Sequence, residues 1–436
     1  MLGVCLKTAF HYPKNSLQSF WDLTQLGLLI FPLSPLFGVI VLVVAVLGTW
    51  MTQYRTIVKR PLNWGFAFLS VLLLISVGFA YNKQEAFLGL FNFLPYFFVF
   101  AAFSALIHTK TQLRQLSWIL VITSLPVIVI GLGQLFLGWA NSQAWAGVLG
   151  WAIAPGGEPP GRMSSIFMYA NTLAGYLMIV FILALGLWVD SYQQIRKLRK
   201  ITAISSLPFL FLTVAVIANF VALILTNSRN AWAIAIFACL AYALYLGWRI
   251  LVAGVVSIAT SVLLAAFAPS PIAELFRKVV PSFFWARLND QLYPDRPVAL
   301  LRTTQWQFTL SLTQQRPWTG WGLRNFTPLY QAKMNIWLGH PHSLFLMLSA
   351  ETGLPATLLF CALLGWMLIA GFQVLQTSKF VQADDKVIFF SYLVVLMSWI
   401  LFNIVDVSLF DFRLNVISWL VLSAIAGVTR NRSVGV

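Results

Sequence analysis

Two histidines flank a single proline in Gly339-His340-Pro341-His342-Ser343, and the whole chain holds only four histidines. An imidazole titrates near neutrality, so it can take the proton from a hydroxyl that is about to attack. The apolar run Leu344 to Leu348 follows, with Ser343 placed to cap a short helix. That helix is expected to reach Thr352, where Gly353 and Pro355 break it. A histidine at such a helix start meets the positive end of the dipole, which favours the neutral imidazole a general base needs. Three readings of the pair stand side by side: a general base for a hydroxyl, which is preferred, a structural pair of imidazoles, and two ligands of a metal. The metal reading lacks a convenient third ligand, because carboxylates on that side are few: Glu85, Glu158, Glu274, Asp290, Asp295, Glu351, Asp406 and Asp411. His11 and His108 lie at the other edge and carry no motif.

Arginines form the second group. Arg229 sits in Thr226-Asn227-Ser228-Arg229-Asn230-Ala231-Trp232, a tight turn between two apolar runs. Arg162 follows the Gly/Pro stretch from Ala154 to Gly161. Arg302, Trp306 and Thr309 share one face of a helix predicted over about 298–313. An arginine at a membrane surface is commonly an anchor whose stem lies on apolar surface. A guanidinium also offers planar, paired donors that suit phosphate oxygens. The stretch Pro317-Trp318-Thr319-Gly320-Trp321-Gly322, followed by Leu323-Arg324-Asn325-Phe326, is rich in turn residues. Alone it reads as a loop laying its tryptophans on the interface. Asp406 and Asp411 bracket the last hairpin, and a salt bridge with a loop arginine is expected of them.

The frame that positions these groups is membrane-embedded. Apolar residues make up 60% of the 436 and charged ones only 9%, against about 25% in a soluble domain. The mean hydropathy of +0.83 excludes a soluble enzyme, a disordered chain and a collagen-like one. A helical span needs ~20 apolar residues, and about twelve fit. The fold class expected is an all-α integral membrane protein with about twelve transmembrane helices and one large outer-face loop. Apolar runs place the first two spans as a hairpin, about 20–33 and 35–51, turned at Pro32-Leu33-Ser34-Pro35. Others follow near 62–81, 87–107, 115–138, 166–189, 203–225, 231–248, 250–268, 354–374, 387–405 and 412–428. The hairpin decides between eleven and twelve, since 20–51 can also be read as one long bent span. Four segments result: N-terminal helices over 1–150, central helices over 151–268, the large loop over 269–341, and C-terminal helices over 342–436.

Charge settles the orientation expected. With twelve spans the inner loops hold Arg55, Lys59, Arg60, Lys110, Arg114, Arg196, Lys197, Arg199, Lys200, Arg249, Lys379 and Lys386, and the tails add Lys7, Lys14, Arg430 and Arg432. The short outer loops hold Lys83, Arg162, Arg229 and Arg413. Cytoplasmic loops carry the excess of Lys and Arg, so both termini are expected in the cytoplasm and the large loop outside. The net charge of +16 reflects this bias and not nucleic-acid binding, because no long basic run exists. Lys7 and Lys14 precede an apolar run with no small-residue cleavage site, which reads as a first span and not a removed signal peptide. Cys5, Cys239 and Cys361 have no metal spacing and receive no role. The absence of a P-loop, a GxGxxG and an HExxH argues against an ATP-driven pump and a zinc protease. At the outer membrane face, a lipid-linked diphosphate is the anion that Arg162, Arg229 and Arg302 would meet.

Together these segments resemble the O-antigen ligase and polymerase (WaaL/Wzy-like) family. The likeness rests on Leu338 to Leu346 with Glu351 to Pro355, on Thr226 to Trp232, on the Arg302 helix with Pro317 to Phe326, and on Arg162 to Phe167 with Asn171 downstream. It spans roughly residues 150–360; the first 150 agree in hydropathy only. The resemblance implies a glycosyltransferase-C-like membrane enzyme of the bacterial inner membrane that needs no metal or cofactor. Its donor would be a glycan on undecaprenyl diphosphate, and its acceptor a hydroxyl of a glycan, lipid A core or protein. His342 matches the family's catalytic histidine; Arg229 and Arg302 match its diphosphate-binding arginines, and the anomeric carbon would be attacked with inversion. His340, Arg162, Asn171 and Arg324 are supporting candidates. Ser343 departs from the pattern, since asparagine often stands there. A branch of the same family is assigned to inorganic-carbon transport, so a bicarbonate or anion transporter is the alternative. Transporters usually carry broken or polar helices at midmembrane depth, whereas the polar groups here lie at one face.

Overall fold

The computed structural model describes residues 17–197, 203–289, 297–377 and 383–430. Cys5, Lys7, His11, Lys14, Arg199, Lys200, Asp290, Asp295, Lys379 and Arg432 fall outside them. Helices account for the regular structure, with no strand among the described residues. In order they are α1 (Gln18–Ile30), α2 (Pro35–Val58), α3 (Pro61–Gly78), α4 (Lys83–Gly89), α5 (Leu94–Leu106), α6 (Lys110–Phe136), α7 (Gln143–Leu149), α8 (Ala170–Lys197) and α9 (Ala203–Leu225). The second half holds α10 (Arg229–Leu246), α11 (Arg249–Phe267), α12 (Ile272–Arg277), α13 (Ser282–Leu288), α14 (Arg302–Gln315), α15 (Phe326–Met334), α16 (Leu344–Thr377), α17 (Ala383–Ile404) and α18 (Phe412–Arg430).

Eleven helical segments among the described residues are long and apolar enough to cross a bilayer. The starting hairpin exists, but its arms are unequal: α1 has 13 residues and α2 has 24. At 1.5 Å per residue α1 covers only ~20 Å, short of a hydrocarbon core. It still packs lengthwise on α2, and Trp21 Nε1 donates to Gln115 Oε1 at 3.1 Å, near the start of α6. The chain therefore starts at the end where α6 starts. Arg430 at the last turn of α18 reaches the carbonyl of Thr56 near the close of α2, again at that end. The described chain thus begins and finishes on one side of the bundle, with α1 as a short twelfth arm.

Helices α8, α17 and α18 form the centre, with α18 almost wholly buried and α8 mostly buried between Leu173 and Asp190. Trp419 of α18 is fully enclosed by the rings of Phe66, Phe97 and Phe100. Helices α9 and α11 lie at the rim and leave Leu207, Leu210, Val214, Ile250 and Ile258 exposed. A bilayer is the solvent those side chains fit. Polar groups within the bundle pair with one another, as in Tyr242 Oη to Ser391 Oγ at 2.7 Å and Asn219 Nδ2 to Ser124 Oγ at 3.1 Å.

The described residues of the 269–341 segment carry four short helices, α12 to α15. The predicted helix bearing Arg302 begins at Arg302 and not near 298, because Val298–Leu300 forms a separate 3-10 turn. Gly353 breaks α16 with φ at 81°, as the Gly353 and Pro355 pair predicts. A side chain there would place its Cβ 2.4 Å from the Trp318 carbonyl oxygen. The backbone groups the break sets free are claimed by the 317–322 turn: Leu354 N–H donates to Pro317 O at 2.7 Å, while Trp321 and Gly322 N–H donate to Ala350 O and Glu351 O at 2.9 and 2.7 Å. The Trp-Gly stretch is thus a clamp on a broken helix and more than an interfacial loop. Trp318 alone projects outward, and Arg316 stacks on the Trp321 ring at 3.9 Å.

Candidate functional site

The site lies at the end of the bundle where α3, α6, α9 and α17 finish and α10 and α18 begin. Its centre is His342, held with φ at +50°, a left-handed conformation uncommon for any residue but glycine. Ser165, Met168 and Asn227 also have positive φ at 49°, 61° and 54°. Such residues cluster where the surroundings over-determine the backbone, as they do at functional sites. Ser343 Oγ faces the Leu346 N–H at 3.5 Å, a weak version of the cap expected.

His342 Nδ1 stands 3.4 Å from Asp406 Oδ1, and that oxygen also accepts the Val407 N–H at 2.9 Å. Asp406 Oδ2 accepts from Asn171 Nδ2 at 3.0 Å. Asn171 Oδ1 in turn takes a hydrogen bond from Arg162, whose Nε donates to the Thr226 carbonyl at 2.9 Å. One polar chain therefore runs from the turn before Arg229, through Arg162, Asn171 and Asp406, to His342. Burial pushes the Asp406 carboxyl up, but the bond from His342 and the positive potential of both histidines outweigh it and hold the group below its ordinary value. An ionised Asp406 accepts, so the proton of neutral His342 rests on Nδ1 and the lone pair on Nε2.

His340 packs edge-on against the His342 ring, centroids 4.6 Å apart, and its Nδ1 accepts the His342 backbone N–H at 3.2 Å. Burial, opposed by Asp406 and reinforced by His342 and Arg302, pulls His340 down from 6.5 to about 4. It is a neutral imidazole at physiological pH, with its proton on Nε2. Trp306, one turn along α14 from Arg302, donates from Nε1 to the Pro341 carbonyl at 3.0 Å. That bond ties the Arg302 helix to the His-Pro-His turn.

Two cavities lie at this end of the bundle. One of about 300 Å³ has a mixed lining, with Asn171, Thr172, His340, Asp406, Ser408 and Asp411 among apolar side chains such as Phe167, Phe402 and Phe410. The other, about 760 Å³, is walled by α9 to α11 and α13 through residues such as Phe220, Ile224, Ile236, Ile258, Val262 and Phe284. Arg229, the first residue of α10, is the one ionisable side chain in its lining among the described residues. Asn230 beside it bonds the Phe402 carbonyl at 2.9 Å, which fixes the start of α10 against the end of α17.

Three expectations need correction. Asp406, expected in a salt bridge with a loop arginine, is engaged by His342 and Asn171 because the buried 405–411 turn faces the helix bundle. Asp411 instead caps α18, its Oδ1 accepting the Leu414 N–H at 2.8 Å; burial raises its pKa and Arg413 opposes the rise. Arg324 pairs with Glu85 at 3.2 Å, joining the large loop to α4, and no contact draws it into the His342 cluster. A third metal ligand, thought lacking, is present: one atom each of His340, His342 and Asp406 lie within 4.8 Å of one another. Sequence reasoning also passed over Gln134. Its buried amide accepts from the Ser164 and Ser165 N–H groups at 3.1 and 2.7 Å and donates to Ala154 O, shaping the turn that presents Arg162. A buried glutamine in an apolar run is the signal that would have found it.

Comparison with known proteins adds one match. The family model described as O-Antigen ligase (Wzy_C) fits residues 213–361. The matched stretch includes Arg229, Arg302, His340 and His342 and stops short of Asp406. A search of curated proteins finds no match.

Proposed function

On the premise of an O-antigen ligase domain over residues 213–361, we propose that this multi-pass membrane protein transfers a glycan from an undecaprenyl-diphosphate donor to an acceptor hydroxyl. The observation that carries the reading is the His342–Asp406 pair, coupled through Asn171 and Arg162 to the turn that bears Arg229. Asp406 holds the His342 ring by Nδ1 and leaves Nε2 facing outward as the base. His342 Nε2 takes the acceptor proton while the acceptor oxygen bonds to the anomeric carbon. The bond from that carbon to the diphosphate oxygen breaks, with inversion, and undecaprenyl diphosphate leaves with the electron pair. Arg229 and Arg302 stabilise its growing charge in a site with little water. The 760 Å³ apolar cavity beneath Arg229 suits part of the polyprenyl tail.

The step needs no metal. His340 Nδ1 already accepts the His342 N–H, and Asp406 Oδ1 faces both the Val407 N–H and His342 Nδ1, so the cluster leaves few lone pairs for a cation. The concentration of Arg55, Lys59, Arg60, Lys110, Arg114 and Arg249 at the opposite end supports a cytoplasmic position for that end, with the site at the periplasmic face of the inner membrane. Ligase and polymerase share this chemistry and differ in acceptor.

The test is release of undecaprenyl diphosphate by the purified protein, given an undecaprenyl-diphosphate oligosaccharide and candidate acceptors with chelator present. Release that disappears in His342→Ala supports the transferase. Release that needs added metal sinks the metal-free step. A folded protein that releases nothing from any donor, yet moves bicarbonate across liposomes in an Arg229-dependent way, replaces the proposal with transport.

A further inference from the structure

A further cavity, with two arginines in a mostly apolar lining, lies at the other end of the bundle. Helix α3 runs for 18 residues from Pro61 to Gly78, so the two ends are separated by ~27 Å. At the far end Ser76 Oγ bonds the Glu351 carbonyl beside the site clamp. At the near end Arg60 precedes Pro61 and is 8% exposed. Its Nη1 donates to Ser104 Oγ of α5 at 2.7 Å. The cavity beside it has about 250 Å³, roughly eight times the ~30 Å³ share of a water molecule in the liquid. Arg60, Arg430 and Thr429 line it with Leu62, Trp366 and Met367, and no carboxylate lines it among the described residues. The two arginines come from different parts of the chain, the start of α3 and the last turn of α18.

From this lining we infer that the cavity binds the phosphate of an anionic phospholipid headgroup at the membrane face opposite the His342 site. Guanidinium groups are matched to phosphate oxygens, and the positive end of the α3 dipole points the same way. The apolar remainder of the wall distinguishes a lipid from a free anion. Leu62, Trp366 and Met367 offer a surface for the glycerol and the first acyl carbons, for which inorganic phosphate has no use. The occupant joins α3, α5, α16 and α18, the helices that contribute the wall.

Native mass spectrometry of the delipidated, detergent-solubilised full chain tests this. Phosphatidylglycerol, phosphatidylcholine and inorganic phosphate are added in separate arms. One tightly held phosphatidylglycerol is expected, bound more strongly than phosphatidylcholine. Arg430→Gln, at the helix end, is expected to weaken it by about tenfold, and Arg60→Gln by at least as much. Trp366→Ala is expected to weaken the lipid without changing the charge of the site. Equal retention of both lipids, or phosphatidylglycerol retention unchanged in both arginine variants with unaltered melting temperatures, overturns the inference. Displacement of the lipid by millimolar phosphate also overturns the lipid assignment, leaving an anion site of soluble origin. None of these readouts depends on glycan transfer, so the inference and the proposed function can fail separately.

Discussion

The two cavities at the site end of the bundle are built from different chemistry. The larger is walled by helix sides facing one another across α9 to α11, and its one described ionisable side chain, Arg229, stands at a helix start. The smaller is walled by turns, 167–172 and 402–414, whose irregular backbone places amide, hydroxyl and carboxylate groups side by side. Regular helix in an apolar setting has all its backbone bonds satisfied internally and presents only hydrocarbon. Turns bring donors and acceptors to a surface, which hydroxyl-rich ligands need. On the proposed function, the apolar cavity would take the lipid part of a lipid-linked glycan and the cavity lined by Asn171, His340 and Asp406 its sugar hydroxyls.

That assignment can be broken most directly at His342 and Asp406. His342→Ala is expected to cut undecaprenyl diphosphate release by roughly a thousandfold with the melting temperature little changed. Asp406→Asn is expected to cost roughly a hundredfold, since the ring keeps a partner but can settle in the wrong tautomer. A variant of normal rate at either position breaks the base assignment. Arg229→Gln is expected to lower turnover by roughly a hundredfold, read as the rate at saturating donor, because it acts on charge that develops as the diphosphate leaves. A sharper probe of the comparison is Ala259→Trp in the apolar wall. It is expected to raise KM for long-chain prenyl donors by about tenfold while leaving short-chain donors nearly unaffected. Equal effects on both donors would show that the tail lies elsewhere.

The smallest effect expected concerns acid. His340 has its folded value near 4 against 6.5 for an ordinary histidine. Between those values the unfolded chain binds a proton that the folded one does not, so stability falls as pH drops from 6.5 towards 4. Asp406, held below 3.8, adds a loss of the same sign only at lower pH. A decline of a few degrees in melting temperature across the upper window, flattened by His340→Asn, is the outcome to seek. A decline that His340→Asn leaves intact would place the titration elsewhere.

Much of this frame is legible in the order of residues because a bilayer enforces it. Apolar length fixes most spans, and Gly353 with Pro355 announces the break in α16 before any coordinates are consulted. The His-Pro-His turn and the Arg229 turn stand out because charge and imidazole are rare in such a chain. What stays hidden is pairing across distance. Asp406 lies 64 residues from His342, and nothing local distinguishes a carboxylate that orients an imidazole from one that meets a loop arginine. Arg324 carries the same guanidinium as Arg229, yet it meets Glu85 because α4 passes beside its turn. The hairpin turns at Pro32 to Pro35 as its sequence indicates, but its second arm runs past 51 to Val58, because helix continues through the polar Thr52, Gln53 and Arg55 where the apolar run has already ended.

The clamp on the broken α16 limits how substrates arrive. Three backbone hydrogen bonds, to Leu354, Ala350 and Glu351, fasten the 317–322 turn to the interior of the bundle. Swinging that segment outward would strand those groups where water does not reach, a cost of ~1–3 kcal/mol for each. The 317–322 turn therefore does not behave as a hinged cover. On the proposed function, a lipid carrier would enter from the side, out of the bilayer and past the rim helices α9 and α11, and the passage for a long polymer would be a doorway in the wall.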